Sequence, residues 1–338
     1  MPSAPDSPSI VINGKNGYVR NNSSWILGRL VRDFESWMSK DARIKVESMI
    51  EEKWADDKKK AEESSQEKLI KSTQVGLCVS IYKQSTEREQ GVPVQDWIYC
   101  SGFVVALIQL GISAIPYGLF GDWGILMITA SGIVLAFLSG SFPQWKKEKW
   151  ACRRNTNKTV ILTRGNGSQH AIVIVEHGRG LDLEDLAAGP VNVNVSATMS
   201  TRIALAVLAV LWILLLISAA GQKENSWFLL AVGGIGMLDN VAVAGWQRKP
   251  SAFGVHLDFI EVIGNKKVMG ALLQVEESYP HVGASMRQTF FPGELRDEEK
   301  REWDSLADKG RNFDTEQKRL KIKKKEKQNV MGETRRSK

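Results

Sequence analysis

Asp239 is the one ionisable residue deep inside an apolar stretch of this 338-residue chain. At the helical rise of about 1.5 Å per residue, it lies about 10 Å before Trp246, which ends the stretch. A carboxylate is costly inside a membrane, so it either marks a path for ions or protons or finds a hydrogen-bonding partner in the helix bundle. Gln109, in another apolar stretch, is a candidate partner, and backbone groups are the other. We favour the structural role, because transporters usually carry a second intramembrane charge or glycine-interrupted helices in both halves.

Two further polar residues, Arg164 and His170, flank the turn of a predicted β-hairpin. β-Branched runs at 159–163 and 171–175 enclose a turn with the pair Asn166-Gly167, which tolerates positive φ and strongly indicates a hairpin. A phosphate-binding loop is the alternative, but no helix and no Gly-Lys-Ser/Thr follows the glycines. We expect Arg164 and His170 to lie on a surface that contacts a partner.

Enzyme signatures are absent from the sequence. It contains no Gly-x-Ser-x-Gly elbow, no HExxH helix and no Walker-type loop, and its four histidines have no metal-ligand spacing. Three cysteines are too few for a four-cysteine zinc site and do not suit a disulfide-built secreted scaffold. We therefore expect no enzymatic activity, with no catalytic residue, no metal site and no cofactor.

The elements that must position these residues include four apolar stretches, each close to the ~20 residues that cross a bilayer as a helix. Backbone groups have no partner in lipid unless they bond within a helix. Several tryptophans flank the stretches, as expected at the level of the lipid headgroups. The sequence predicts four transmembrane helices in two helical hairpins, at residues 97–120, 123–142, 203–220 and 227–246.

The distribution of basic residues predicts how these helices are oriented. The chain has a net charge of +7, and basic residues follow the second stretch, precede the third and follow the fourth. Because basic residues near membrane helices are retained in the cytosol, both termini and the loop 146–201 are predicted to be cytosolic. Glycosylation sequons at Asn157, Asn166 and Asn194 argue for the opposite side. We give the charge asymmetry more weight.

The segments outside the membrane predict a small cytosolic α+β domain. Residues 254–263 alternate as a half-buried strand does, and residues 266–279 form an amphipathic helix. A lone hairpin or strand is unstable in water, so we expect about three antiparallel strands with this helix on one face. An amphipathic helical region begins near Ser24, and its apolar face lies either on the membrane surface or against protein.

The fold class predicted is thus a mainly α membrane protein with a small α+β domain. Its segments are a disordered N-terminus, a cytosolic helical region, a first transmembrane hairpin, a β-hairpin segment, a second transmembrane hairpin, a strand-helix segment and a charged, basic tail. In the order just given, these seven segments span residues 1–23, 24–96, 97–145, 146–201, 202–246, 247–295 and 296–338. The basic run 318–325 in the tail either contacts anionic lipid or belongs to a disordered, solubilising segment.

Four segments carry a resemblance to a known group of proteins. They read WKKEKWACRR at 145–154, LTRGNGSQH at 162–170, LDLEDLA at 181–187 and PSAFG at 250–254. These segments resemble a family of filamentous-fungal (ascomycete) multi-pass membrane proteins of unknown function. The resemblance covers roughly residues 97–303 and implies a membrane location, but it implies no activity and no functional site.

The sequence predicts a non-enzymatic membrane scaffold or binding module. The alternative is a small oligomeric transporter or channel that uses Asp239. The expected partners are the lipid bilayer, a cytosolic protein and another copy of the chain, and no nucleic acid. A dry helix bundle around Asp239 would favour the binding module, whereas a water-accessible cavity would favour transport.

Overall fold

The computed structural model describes residues 5–64, 70–175, 178, 180–189, 191 and 194–315. The basic run 318–325 lies outside the described residues. Within them the chain forms a bundle of apolar helices and one six-stranded sheet that is flanked by further helices.

A β-hairpin occupies most of the N-terminal segment that was expected to be disordered. Strand β1 (Ile10–Asn13) pairs antiparallel with β2 (Val19–Asn21). Gly17 makes the turn at a φ of 69° and donates its N–H to the carbonyl of Asn13 at 2.9 Å. The prediction of disorder for residues 1–23 is wrong here, because the β-branched run of β1 pairs with a strand much later in the chain.

The next region is helical only in its first half. Three helices, α1 (Trp25–Arg32), α2 (Phe34–Trp37) and α3 (Lys40–Ser64), are followed by the strand β3 (Leu77–Gln84). The prediction of a helical region over 24–96 is therefore wrong at β3. This strand is buried on both faces, so it lacks the polar alternation that identifies a half-buried strand.

The first pair of apolar helices is α4 (Trp97–Phe120) and α5 (Gly124–Gly140). Asp96 caps α4 by accepting a hydrogen bond from the N–H of Tyr99, and Gly121 ends the helix in the left-handed conformation. A short helix, α6 (Pro143–Lys149), follows α5 at an angle of 46°. Pro143 begins this helix because proline lacks a backbone N–H, and the N–H groups of the first turn have no partner within the helix.

The segment after α6 contains the predicted hairpin. Strands β4 (Val160–Thr163) and β5 (His170–Val175) pair antiparallel, and the short helix α7 (Leu183–Ala188) follows. The second pair of apolar helices comes next, α8 (Met199–Gly221) and α9 (Ser226–Gly245). The chain continues with α10 (Pro250–Phe253), β6 (Leu257–Asn265), α11 (Val268–Ser278), α12 (Val282–Phe290) and a helix at residues 297–315.

Three of the described helices, α4, α8 and α9, are long and apolar enough to cross a membrane. α5 contributes a fourth candidate only if it forms one bent span together with α6. α5 packs against α4 and α8, and α9 packs against α4 and α5. The links within the two helix pairs also meet, because Asp122 accepts hydrogen bonds from Gln222 at 2.9 Å and Asn225 at 3.2 Å.

The sheet has six strands instead of about three, in the order β2-β1-β4-β5-β3-β6. The strand at 257–265 belongs to the same sheet as the β4–β5 hairpin, but β3 separates them. β3 is parallel to β5 and antiparallel to β6, so the sheet is mixed and not purely antiparallel. The sheet therefore combines strands from the parts of the chain that lie before, between and after the two pairs of apolar helices.

Helices cover both faces of the sheet, although one covered face was expected. One face, with Val11 and Leu162, packs against α1 and α7, and the other, with Ile12 and Ile161, packs against α11 and α12. Trp303 of the C-terminal helix is buried on the second face. Two helical layers are needed because the central strands bury apolar side chains on both sides. The apolar face of α1 consequently packs on protein and not on lipid.

Candidate functional site

Asp239 and Gln109 line the same groove, between α4, α5 and α9. Its volume is about 590 Å³, within the range of roughly 300–1,000 Å³ that is usual for small-molecule sites. The lining residues come from the first half of α4, the end of α5 with Ser141, and the second half of α9. These are the helix halves nearest the sheet, and we call this side of the bundle the domain side.

The wall of this groove is aromatic and open. Phe103 and Phe137 stack with their ring centroids 5.4 Å apart, and Tyr99 lies 6.1 Å from Phe103. At Gly102 and Gly140, a Cβ atom would meet no other atom within 4 Å. About half of the surface of each aromatic residue is exposed, so the groove opens sideways from the bundle.

Gln109 and Asp239 share the groove but are not bonded to each other. The Gln109 amide donates a hydrogen bond to the carbonyl of Val232 on α9, at 2.9 Å. In the part of the chain that the structure describes, no hydrogen bond or ion pair joins Asp239 to another residue. The carboxylate therefore faces the groove without a partner.

Arg164 and His170 line a second, smaller pocket in the sheet domain. Its volume is about 240 Å³, and it lies between the β4–β5 turn and the first two helices, from which Phe34 and Glu35 contribute. Arg164 is exposed, and its guanidinium donates to the carbonyl of Arg32 at 3.4 Å. The structure thus brings the two predicted residues together.

The ring of His170 is largely enclosed within this pocket. It lies 5.2 Å from the ring of Phe34, and its Nδ1 atom is buried without a hydrogen-bond partner among the described residues. Burial lowers the pKa of His170, Glu35 partly opposes this, and Arg164 lowers the pKa further. Ser168 donates its hydroxyl to the carbonyl of His170 at 3.0 Å and not to the ring, so the pocket has no activated serine.

A cluster of arginines, which sequence reasoning missed, joins the sheet domain to the bundle. Arg29 and Arg32 of α1 donate to the carbonyl of Ala244 at 2.7 and 3.1 Å, and Arg32 also donates to the carbonyl of Trp246 at 3.2 Å. Carbonyls at the end of a helix have no partner within the helix and carry partial negative charge. The two arginines therefore cap the end of α9.

Arg248 extends the cluster to the start of α4. Its guanidinium donates two hydrogen bonds to the Asp96 carboxylate, at 2.8 and 2.6 Å. The backbone N–H of Arg248 donates to the Asp33 carboxylate at 3.2 Å. Burial raises the pKa of Asp96, but the hydrogen bonds from Arg248 and the N–H of Tyr99 outweigh it and hold this pKa below its ordinary value. We call Arg29, Arg32, Asp33, Asp96 and Arg248 the arginine cluster.

The sequence contained one signal for the arginine cluster. Arg29 lies on the same helix as Leu27 and Leu30, which are buried, and it is itself only 7% exposed. A basic residue on the buried side of a helix needs a partner, because a buried charge is costly. Basic residues near the helix ends were used only to predict the orientation of the apolar helices, so the need of Arg29 for a buried partner was overlooked.

The apolar helices and the covered sheet define a class: a membrane-associated protein with a mixed α/β domain packed against its helix bundle. No family model, no curated protein and no solved structure matches the chain. Among the described residues, no group of three or more His, Cys, Asp or Glu side chains could hold a metal ion.

Proposed function

We propose that this protein is a non-enzymatic membrane scaffold or binding module that holds its sheet domain in a fixed position for a cytosolic partner. The arginine cluster carries this proposal. It joins α1 to the end of α9 and to the start of α4 through charge-assisted hydrogen bonds. A domain that was only tethered to the membrane would need none of these bonds.

The order of the strands supports four membrane crossings. β3 precedes α4 and pairs with β5, which follows α6, so the chain between them must cross an even number of times. If α4 is one crossing, α5 with α6 is the second. The same reasoning applies to α8 and α9, which lie between β5 and β6. The basic residues near the helix ends favour the cytosol as the side of the sheet domain.

A distance measurement between domain and bundle tests whether the domain is fixed. Burial raises the pKa of Cys78 and Cys152 to about 11, so the exposed Cys100 at the start of α4 is the accessible thiol. Spin labels on Cys100 and on a second cysteine at S48C in α3 should give one narrow distance distribution. The double variant Arg32→Ala and Arg248→Ala should broaden it. A broad distribution in the wild type would overturn the fixed-domain proposal.

The partner is tested in native membranes. We expect affinity purification of the full chain to yield a partner in a constant molar ratio to the protein. This yield should fall in the double variant Arg32→Ala and Arg248→Ala, in which the sheet domain is released from the bundle. The matched control is Lys249→Ala, which removes a neighbouring charge outside the arginine cluster. Retention of every partner by the released domain would contradict the scaffold function.

Transport is the second candidate function, because Asp239 lines a groove and has no partner among the described residues. The groove is lined only from the domain-side half of the bundle, however, and a path must continue through the other half. If the protein in reconstituted vesicles carries a proton-coupled flux and Asp239→Asn abolishes it, the proposed scaffold function is wrong and the protein is an oligomeric transporter. We expect no such flux.

A further inference from the structure

The groove at Asp239 combines features of a ligand site that the scaffold function does not use. It is open to lipid on one side, because Tyr99, Phe103 and Phe137 are each about half exposed. It is lined on the other side by Asp239, Asn240 and Gln109. A ligand could therefore enter sideways from the lipid leaflet on the domain side while its polar end reached these groups.

The charge of the groove indicates which polar end would fit. The residues that line it include one carboxylate and no basic side chain. Gln109 is uncharged and its amide donates a hydrogen bond to Val232, so it does not neutralise Asp239. A carboxylate within a membrane is stabilised by pairing with a cation, and no lining residue supplies one, so a cationic ligand would complement Asp239.

The aromatic wall also favours a cation. Three aromatic rings stand beside the entrance of the groove, and their faces would attract an ammonium group as it passes them on its way to Asp239. The same rings present apolar surface to a hydrocarbon chain. The groove thus offers a negative charge at its polar end and an apolar track towards lipid.

We propose that this groove binds a membrane amphiphile with a single alkyl chain and a protonated primary amine. The ammonium group pairs with Asp239, and the alkyl chain lies along Phe103 and Phe137 before it enters the domain-side leaflet. Gly102 provides space for the chain, because a Cβ atom there would meet nothing within 4 Å. This binding is independent of the scaffold function, which rests on the arginine cluster.

The test uses the full chain in phosphatidylcholine nanodiscs. The probe is a photoreactive long-chain primary amine, and the competitors are octadecylamine and octadecanol. We expect the probe to label residues of the groove, octadecylamine to compete, and octadecanol to compete at least tenfold less well. Asp239→Asn should weaken binding by roughly 30-fold, because it removes one member of a desolvated charge pair.

Two glycine variants separate binding in the groove from adsorption to the bundle. Gly102→Leu fills the groove and should abolish specific labelling. Gly111→Leu makes the same change on α4, at a glycine that also has open space but does not line the groove, and it should leave labelling unchanged. Each variant is first checked for insertion and for its elution volume.

Three results would overturn the proposal. Equal competition by octadecanol would show that charge does not select the ligand. Unchanged labelling in Asp239→Asn would show that the carboxylate is not the partner of the amine. Equal labelling of the Gly102→Leu and Gly111→Leu variants would place the probe outside the groove. None of these results bears on the fixed position of the sheet domain.

Discussion

His170 shows how one residue makes the stability of the sheet domain depend on pH. Burial lowers its pKa in the folded protein from the ordinary value of 6.5, so folding favours the neutral ring. The unfolded chain binds the proton more readily, and the stability from the neutral ring is therefore full above about pH 6.5 and is lost as the pH falls below it. We expect the unfolding temperature of the protein in detergent to fall as the pH is lowered from about 7 to 5.

His170→Gln should reduce this fall, since glutamine does not titrate. Thermal unfolding followed by circular dichroism at several pH values measures the effect. His281→Gln, which changes a histidine on the other side of the sheet, serves as the matched control. An identical pH dependence in wild type and His170→Gln would show that the ring does not contribute.

At the scale of elements, the hydrogen bond from Gln109 to Val232 joins α4 to α9. Hydrogen bonds between membrane helices contribute about 0.6 kcal/mol on average and up to about 1.7 kcal/mol. We expect Gln109→Leu to lower the stability of the bundle by an amount in this range, measured by unfolding in mixed detergent. Asp239→Asn is the comparison, because it removes no bond among the described residues and should not lower the stability of the bundle. A larger loss in Asp239→Asn than in Gln109→Leu would contradict this assignment.

The ion pair between Arg248 and Asp96 joins the end of one apolar helix to the start of another. Arg248→Lys keeps the charge but cannot reproduce the two parallel hydrogen bonds. We expect a loss of about 1.5–3 kcal/mol in the free energy of unfolding, as is usual for hydrogen bonds to charged groups. Asp96→Asn should lose less than Asp96→Ala, since an asparagine can still cap α4. Equal effects of the two Asp96 variants would exclude the capping role.

Elements with a strong local pattern could be predicted from the sequence, and others could not. The β4–β5 turn and α11 were found because Asn-Gly and helical periodicity are local signals. The same Asn-Gly signal was present at Asn16-Gly17 but was missed within a polar segment. β3 could not be found by alternation, because both of its faces are buried.

The candidate sites followed the same rule. Asp239 was identifiable because a charge in an apolar stretch is conspicuous, and Arg164 and His170 because they flank a recognisable turn. The groove around Asp239 was not predictable, since its walls come from three helices. The arginine cluster depends on contacts between α1 and α9, which are more than 190 residues apart in the chain. Such contacts are set by packing and leave no mark on local spacing.

At the scale of the whole molecule, we expect the sequon at Asn166 to carry no glycan. Asn166 lies exposed in the β4–β5 turn, so its position within the sheet domain would not protect it from glycosylation in the lumen. The absence of a glycan would therefore report a cytosolic domain. Endoglycosidase treatment of the protein from eukaryotic cells measures this. A size shift that disappears in Asn166→Gln would reverse the orientation, and a sequon-bearing loop inserted between Lys223 and Glu224 is the positive control.

The position of β3 between β5 and β6 has a consequence for biogenesis. β3 emerges from the ribosome early, whereas β6 is made only after the last apolar helix. At about 5–20 residues per second, this leaves one edge of a strand that is almost entirely buried in the finished protein open for roughly 10–35 s during synthesis. An open edge of this kind readily pairs with other chains. A nascent chain that fails to insert α9 would keep this edge exposed and become a substrate for chaperones and degradation. Completion of the sheet domain therefore depends on completed membrane insertion.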